Sequence, residues 1–149
     1  MSQSEQRAPG RALVIGGGTM GVGIIAMFAG HGWKVDVVSR STSTRDGLPA
    51  ATAKALTAMG KPADTAGLAT YATLPEAPWP KIDMVVETVT EDLALKQRLF
   101  GEMEALARPD CALTSNSSSF PISEIGKGLK TQARMMGLHF FMPAHLIPL

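Results

Sequence analysis

Three glycines near the N-terminus constrain the fold of this chain more than any other feature. Gly16, Gly18 and Gly21 form a GxGxxG pattern between a strand-like apolar run and a helix-like one. In a strand–turn–helix unit, the first glycine permits the tight turn, the second lets a phosphate approach bare backbone, and the third lets the helix pack closely. The N-terminus of the helix then faces the phosphates with free N–H groups. The pattern indicates a dinucleotide site at these glycines and at the intervening Thr19 and Met20.

The rest of the chain alternates strand-like and helix-like runs. Strand-like runs lie at residues 12–16, 34–38, 70–74, 82–88, 111–115 and 134–141, and helix-like runs lie at 19–30, 48–60, 92–107 and 122–129. This order predicts an α/β fold of the Rossmann type, a doubly wound parallel sheet whose ligands bind at the carboxyl ends of the strands.

The length of 149 residues suits a single domain. Residues 1–10 are polar and contain Pro9 and Gly10, so we expect a disordered tail followed by a dinucleotide-binding domain over residues 11–149. The segment 60–80 carries four prolines and two glycines and predicts no regular structure beyond a weak strand.

Composition narrows the class of partner. The net charge is +1 without runs of like charge, no apolar run reaches the length of a membrane span, and Cys111 is the single cysteine. We therefore expect a cytoplasmic protein that binds a small molecule rather than nucleic acid or membrane, with no metal site and with Cys111 in the core.

The end of the second strand bears on the choice of cofactor. Many dinucleotide folds place an acid there that binds the adenosine ribose, but this chain has Ser39 and Arg40. Asp36 comes too early and is expected to face away from the nucleotide. Without a carboxylate to repel a 2′-phosphate, Arg40 would bind that group in NADP; alternatively, Arg40 is solvated and Ser39 bonds the ribose of NAD.

Two acids and a lysine follow the fourth strand. Glu87 and Glu91 are expected at or beyond its carboxyl edge, with Glu91 in the first turn of the next helix and in contact with the cofactor. Lys96 lies further along that helix, where it would reach the nicotinamide ribose or be solvated.

Hydroxyl and amide side chains follow the fifth strand in SNSSSF, residues 115–120, and would cap the next helix or bond a substrate oxygen. No nucleophile turn accompanies these serines, so they are interpreted as hydrogen-bonding groups. His139 ends the last predicted strand, and spacing alone favours a core histidine over a catalyst.

Four motifs in order resemble the N-terminal NAD-binding domain of the L-3-hydroxyacyl-CoA dehydrogenase family, which includes related carnitine and gulonate dehydrogenases. They are VIGGGTMGVGIIA, DMVVETVTEDLALKQRLF, TSNSSSFPISEI and GLHFF, and the resemblance spans about residues 11–149. It implies hydride transfer from C3 of a 3-hydroxyacyl-CoA to NAD in fatty acid metabolism.

The resemblance also implies roles for individual residues. His139 falls on the catalytic histidine that accepts the 3-hydroxyl proton, and Ser118 falls on the serine that bonds the substrate oxygen. Asn116, Glu91 and Lys96 fall on or beside positions that contact the cofactor.

The sequence departs from the family in three places. Ser39 replaces the usual aspartate, and Met142 replaces an asparagine near the nicotinamide. The glutamate that orients the histidine and the helical domain that follows are expected beyond Leu149, so the chain alone should bind cofactor but turn over poorly.

Other functions stay open at this level. The substrate would alternatively be a free hydroxy acid resembling carnitine or gulonate, or the chain would be a nucleotide-binding module without catalysis. We also expect self-association through an apolar C-terminal surface that would otherwise meet a missing domain or partner chain: Phe140, Phe141, Met142, Leu146, Ile147 and Leu149.

Overall fold

The computed structural model describes residues 8–147, so most of the predicted tail lies outside the described residues. Six parallel strands are β1 Arg11–Ile15, β2 Lys34–Val38, β3 Leu68–Tyr71, β4 Met84–Glu87, β5 Ala112–Ser115 and β6 Met135–Gly137. The helices are α1 Thr19–Gly30, α2 Thr42–Ala58, α3 Leu93–Leu106 and the short α4 Ile122–Ile125. Single 3₁₀ turns occupy Leu74–Glu76, Trp79–Lys81 and Lys130–Arg134.

The strands form one sheet in the order β3-β2-β1-β4-β5-β6, which confirms the predicted doubly wound fold. Their carboxyl ends are aligned, because Ile15 pairs with both Val38 and Glu87, and Ser115 pairs with both Glu87 and Gly137. The loops that leave these strands therefore meet at one edge, on both sides of the point where strand order reverses.

Both faces of the sheet are buried, as parallel sheets require. Leu13 and Ile15 of β1 pack on one face with Phe100 of α3, whereas Ala12 and Val14 pack on the other with residues of α1. Full burial of an aliphatic side chain contributes about 1.5–3 kcal/mol, so the alternation within β1 anchors helices on both sides.

The observed elements differ most from the sequence prediction in three regions. Helix α2 begins at Thr42 rather than residue 48, because the Ser41 hydroxyl accepts the Thr44 N–H and Pro49 is accommodated inside the helix. Segment 60–80 contains β3 and two 3₁₀ turns, one of them capped by the Glu76 carboxylate. Strand β6 ends at Gly137, so His139 follows the strand instead of ending it.

Burial of Cys111 confirms its predicted place in the core, and the acidic Asp36 is buried as well. Cys111 is fully buried, and burial raises the pKa of its thiol to about 11. Asp36 is fully buried in β2, where it pairs with Arg11 at 2.5 Å and accepts the Tyr71 hydroxyl. Among residues 8–147, no helix combines the length and apolar character needed to cross a bilayer.

Candidate cofactor and catalytic site

The glycine turn between β1 and α1 has the geometry of a phosphate-binding turn. Gly16 has a φ of +107°, a conformation that favours glycine. A Cβ on Gly21 would lie 2.3 Å from the Gly16 carbonyl oxygen, so α1 comes this close only without a side chain. A Cβ on Gly18 would meet nothing within 4 Å, and Gly18 begins α1 without a side-chain cap. Open space and free helix N–H groups fit a pyrophosphate.

The other residues predicted around this turn differ in their surroundings. Thr19 is exposed at the start of α1, whereas Met20 packs against the apolar core. Thr88, which sequence reasoning missed, donates its hydroxyl to the carbonyl oxygen of Ile15 at 2.9 Å. It thereby ties the loop after β4 to the glycine turn. Thr88 lies next to the glycine turn in space but is 73 positions from Ile15 in the chain, so no local sequence pattern indicates this contact.

A cleft of about 590 Å³ runs from the glycine turn across the carboxyl ends of β2 and β4. Ser39 and Arg40 line this cleft, and Asp36 does not. Its other walls come from residues 72–75, from residues 88–90 and from the α3 residues Leu95, Arg98, Leu99 and Glu102. Leu95 and Leu99 are half-buried and line the cleft, and Leu99 also packs against the core, whereas Lys96, Phe100 and Met103 are the buried residues of α3.

Arg45 organises the loop that carries Ser39 and Arg40. Its guanidinium donates to the Ser39 carbonyl at 2.5 Å, to the Arg40 carbonyl at 2.9 Å and to the Thr42 hydroxyl at 3.1 Å. The Ser39 N–H donates to the Tyr71 carbonyl. With the backbone held in this way, the Arg40 side chain is exposed and extends from a fixed position.

A buried ionic network joins the ends of β4 and β5. Glu87 is fully buried and accepts the Lys96 ammonium at 2.7 Å, the Ser115 hydroxyl at 2.8 Å and the Val89 N–H at 2.7 Å. Lys96 is also buried, so the solvated alternative for this lysine is wrong. Its Nζ lies within 3.1 Å of Glu91 Oε1 and of the Val89 carbonyl as well. These three acceptors use all three donors of the ammonium group.

Glu91 is the exposed end of that network. The structure places it one residue before Asp92, the residue that caps α3, so its predicted position inside the first turn is wrong. Its carboxylate accepts the Ser117 hydroxyl at 2.8 Å and the Ser119 N–H at 3.2 Å. Burial opposes the anion, but hydrogen bonds from Ser117 and Lys96 outweigh it and lower the pKa of Glu91.

The residues after β5 and β6 meet at the same edge. Asn116 Oδ1 accepts the Phe140 N–H at 2.6 Å, which joins the loop of Ser118 to the turn of His139. Both Ser118 and His139 are exposed, and the His139 ring packs on Phe141 with a centroid separation of 4.9 Å. The Ser118 hydroxyl makes no hydrogen bond to any other residue of the range 8–147, so it is available to a ligand.

The chain matches the family described as 3-hydroxyacyl-CoA dehydrogenase, NAD binding domain, over residues 11–149. The chain belongs to this family. It is 36% identical over 146 residues to the peroxisomal fatty acid beta-oxidation multifunctional protein AIM1 of Arabidopsis thaliana. That alignment covers 93% of this chain and 20% of the Arabidopsis protein.

Two solved structures of bacterial proteins show the same fold as this 3-hydroxyacyl-CoA dehydrogenase family domain. The 3-hydroxybutyryl-CoA dehydrogenase of Escherichia coli K12 is 30% identical with a TM-score of 0.80, over 94% of this chain and 31% of that one. FadB2 of Mycobacterium tuberculosis is 29% identical with a TM-score of 0.81, over 95% and 52% respectively. The chain thus spans between a fifth and about half of these relatives.

Family membership supports NAD binding by this chain, and the open glycine turn fits a pyrophosphate. Within residues 8–147, no three His, Cys, Asp or Glu side chains cluster in a way that would hold a metal ion. The polar groups of the site are therefore those that line the cleft and those at the ends of β4, β5 and β6.

Proposed function

We propose that this chain is the cofactor-binding half of a dehydrogenase that oxidises the C3 hydroxyl of a 3-hydroxyacyl-CoA. The nicotinamide, when bound, accepts the hydride. The side chains act on the substrate oxygen and its proton: His139 accepts the proton, and Ser118 donates a hydrogen bond to the oxygen. A neutral imidazole is well suited to proton transfer near neutral pH.

One observation carries this proposal. The hydrogen bond between Asn116 and Phe140 holds the loop of Ser118 and the turn of His139 together at the carboxyl edge of the sheet. The glycine turn and Glu91 lie at the same edge, because all of them follow strands whose ends are in register. His139 and Ser118 thus follow strands that end at the same sheet edge as the glycine turn, and a proton acceptor and a hydroxyl donor at that edge support oxidation of an alcohol.

Saturation of Lys96 sharpens the assignment of cofactor contacts. Since its three donors are occupied, Glu91 rather than Lys96 is the network member with capacity left for a ribose hydroxyl. A carboxylate has about four lone-pair sites, and Lys96, Ser117 and Ser119 take three of them.

A second cavity supports a substrate with a long apolar part. It has a volume of about 370 Å³ and lies between α1, α2 and residues 142–145. Its walls are mostly apolar, and the exposed Lys54 contributes a cation. An apolar wall with one cation suits an acyl thioester that carries phosphate groups better than a small, fully polar hydroxy acid.

For the cofactor, we propose that Ser39 and Arg40 admit the 2′-phosphate of NADP in addition to NAD. Arg40 lines the cleft with its side chain exposed, and Arg45 fixes the backbone on either side of the Ser39–Arg40 bond. A charge-assisted hydrogen bond contributes about 1.5–3 kcal/mol.

The test is the reduction of acetoacetyl-CoA by NADH or NADPH, and the rate is measured from the loss of absorbance of the reduced nicotinamide. We expect slow turnover that His139→Gln abolishes and Ser118→Ala lowers, with unchanged cofactor affinity in both variants. Lys127→Gln, on an exposed position outside both cavities, is the matched control.

The outcomes separate the candidate functions. Turnover that survives His139→Gln would contradict the proposed chemistry. Cofactor binding with no reduction of acetoacetyl-CoA, even when a helical partner domain is supplied, would favour a nucleotide-binding module. Reduction of free 3-oxo acids in preference to the thioester would identify a hydroxy acid as the substrate.

A further inference from the structure

His139 lies outside regular structure, so its position depends on a few backbone contacts. Strand β6 ends two residues earlier, at Gly137, and the imidazole is exposed. The Leu138 N–H donates to the Ser115 carbonyl at 2.8 Å, and the Phe140 N–H donates to Asn116 Oδ1 at 2.6 Å. The residues before and after His139 are thus tied by their N–H groups to Ser115 and Asn116, at the end of β5.

These two contacts are not equivalent. The Ser115 carbonyl belongs to the backbone of β5 and continues the ladder between β5 and β6 by one hydrogen bond. Asn116 instead uses its side-chain oxygen, which accepts the Phe140 N–H beyond the last backbone hydrogen bond between the two strands. Every other main-chain contact at this turn would survive a substitution, but the bond to Phe140 depends on the residue type at position 116.

Asn116 is itself firmly held. Its own N–H donates to the Glu87 carbonyl at 2.9 Å, and Glu87 belongs to the buried network of Lys96 and Ser115. On the other side of the bond, the Phe140 side chain is 2% exposed and packs in the core. The turn is therefore anchored by a buried ring and by an amide that is fixed to β4.

We propose that Asn116 is a positioning residue for His139, acting through the Phe140 N–H, an inference that rests on the proposed role of His139. The side-chain carbonyl of Asn116 stops the turn from rotating about the end of β6. With its oxygen used in this way, the Asn116 amide nitrogen has no partner among residues 8–147 and keeps two donors for a ligand.

Two variants of similar size separate the oxygen from the rest of the side chain. Asn116→Asp keeps an acceptor for the Phe140 N–H, whereas Asn116→Leu removes it. The first measurement is amide hydrogen exchange of Phe140 by NMR in the 149-residue chain. We expect exchange to accelerate by about fivefold or more in Asn116→Leu, the factor that corresponds to one ordinary hydrogen bond, and to stay near the wild-type rate in Asn116→Asp.

The second measurement reads His139 directly. In the wild-type chain, we expect the His139 ring resonances to carry a ring-current shift from Phe141, because the two ring centroids lie 4.9 Å apart. We expect Asn116→Leu to reduce that shift and to lower the rate of acetoacetyl-CoA reduction, and Asn116→Asp to keep the shift at its wild-type value. A general loss of structure would instead broaden resonances throughout the sheet.

The failure of this inference differs from the failure of the proposed function. Wild-type Phe140 exchange and His139 shifts in Asn116→Leu would overturn the positioning role even if NADH binds normally. A chain in which the exchange and shifts respond as expected, but which binds neither NADH nor NADPH, would instead refute the proposed function and leave Asn116 a purely structural residue.

Discussion

The proposed 2′-phosphate site gives the sharpest quantitative prediction. Arg40→Gln removes the exposed cation that lines the cleft at the end of β2, and Ser39→Asp introduces a carboxylate beside it. Arg45 holds the carbonyls of both residues at 2.5 and 2.9 Å, so neither substitution should displace the backbone. The two variants thus change the charge at a fixed place.

The magnitude follows from the exposure of Arg40. Two unit charges 4 Å apart interact by about 1 kcal/mol in water and by about 4 kcal/mol near a protein surface. Since Arg40 is exposed, we take about 1–3 kcal/mol, which includes its hydrogen bond to the phosphate. Arg40→Gln should therefore weaken NADPH binding by about 5- to 150-fold and leave NADH binding nearly unchanged.

Ser39→Asp should weaken NADPH binding and strengthen NADH binding. Its carboxylate would repel the 2′-phosphate by a similar amount and accept hydrogen bonds from the ribose of NADH, so the ratio of the two affinities should shift toward NADH by one to several powers of ten. The assay is a parallel fluorescence titration with NADH and NADPH at two salt concentrations. Higher salt should weaken NADPH binding more, because an exposed charge pair is screened.

Two results would refute this reasoning. Arg40→Gln that weakens NADH and NADPH equally would mean that Arg40 binds a group common to both. A ratio unchanged by Ser39→Asp would mean that residue 39 does not face the ribose. Lys127→Gln controls for the loss of one positive charge outside the cleft.

Three further predictions concern packing, pH and association. Gly21→Ala places a Cβ 2.3 Å from the Gly16 carbonyl oxygen and should lower the free energy of unfolding by about 1–3 kcal/mol, measured by thermal or urea unfolding. Gly47→Ala, at an exposed position inside α2, should instead raise the free energy of unfolding by about 0.5–1 kcal/mol. Equal effects of the two substitutions would contradict the packing argument. The pKa of Glu91 is lowered in the folded chain, so its stabilising contribution is complete above the ordinary value of 4.5 and is lost as the pH falls through the folded value. The stability gap between wild type and Glu91→Gln in thermal unfolding should narrow over that acidic range, and a gap independent of pH would exclude this linkage. Light scattering should show self-association that replacement of Phe141 and Leu146 by serine reduces, since these side chains are 63% and 53% exposed; a wild-type monomer at high concentration would rule this out.

The expected self-association surface changes in one respect. Phe140 was predicted to belong to it, but its side chain is 2% exposed and packs with α1, so it contributes to the core instead. Phe141, Met142, Leu146 and Ile147 are exposed as predicted, and Leu149 lies outside the described residues. Neighbouring aromatic residues in an irregular turn carry no periodicity that distinguishes the buried one.

Local patterns were enough to predict the fold and the glycine turn. The spacing of Gly16, Gly18 and Gly21 reflects steric demands within a single strand–turn–helix unit, and the alternation of runs reflects burial of strands on both faces. Both requirements act between residues close in sequence, so the sequence displays them directly. Each of the four family motifs is likewise a short run of consecutive residues, and their order along the chain led to the family that the comparison shows.

The site depended on contacts between distant residues. Lys96 looks like a helix-surface cation in the sequence, and only the packing of α3 on the sheet buries it between Glu87 and Glu91. The bond between Asn116 and Phe140 joins residues 24 positions apart. No periodicity or propensity encodes such a pair, because the register of parallel strands sets it. The sequence by itself determined the fold and the glycine turn, because both depend on neighbouring residues, and the tertiary structure decided which polar groups are saturated and which remain free for a ligand.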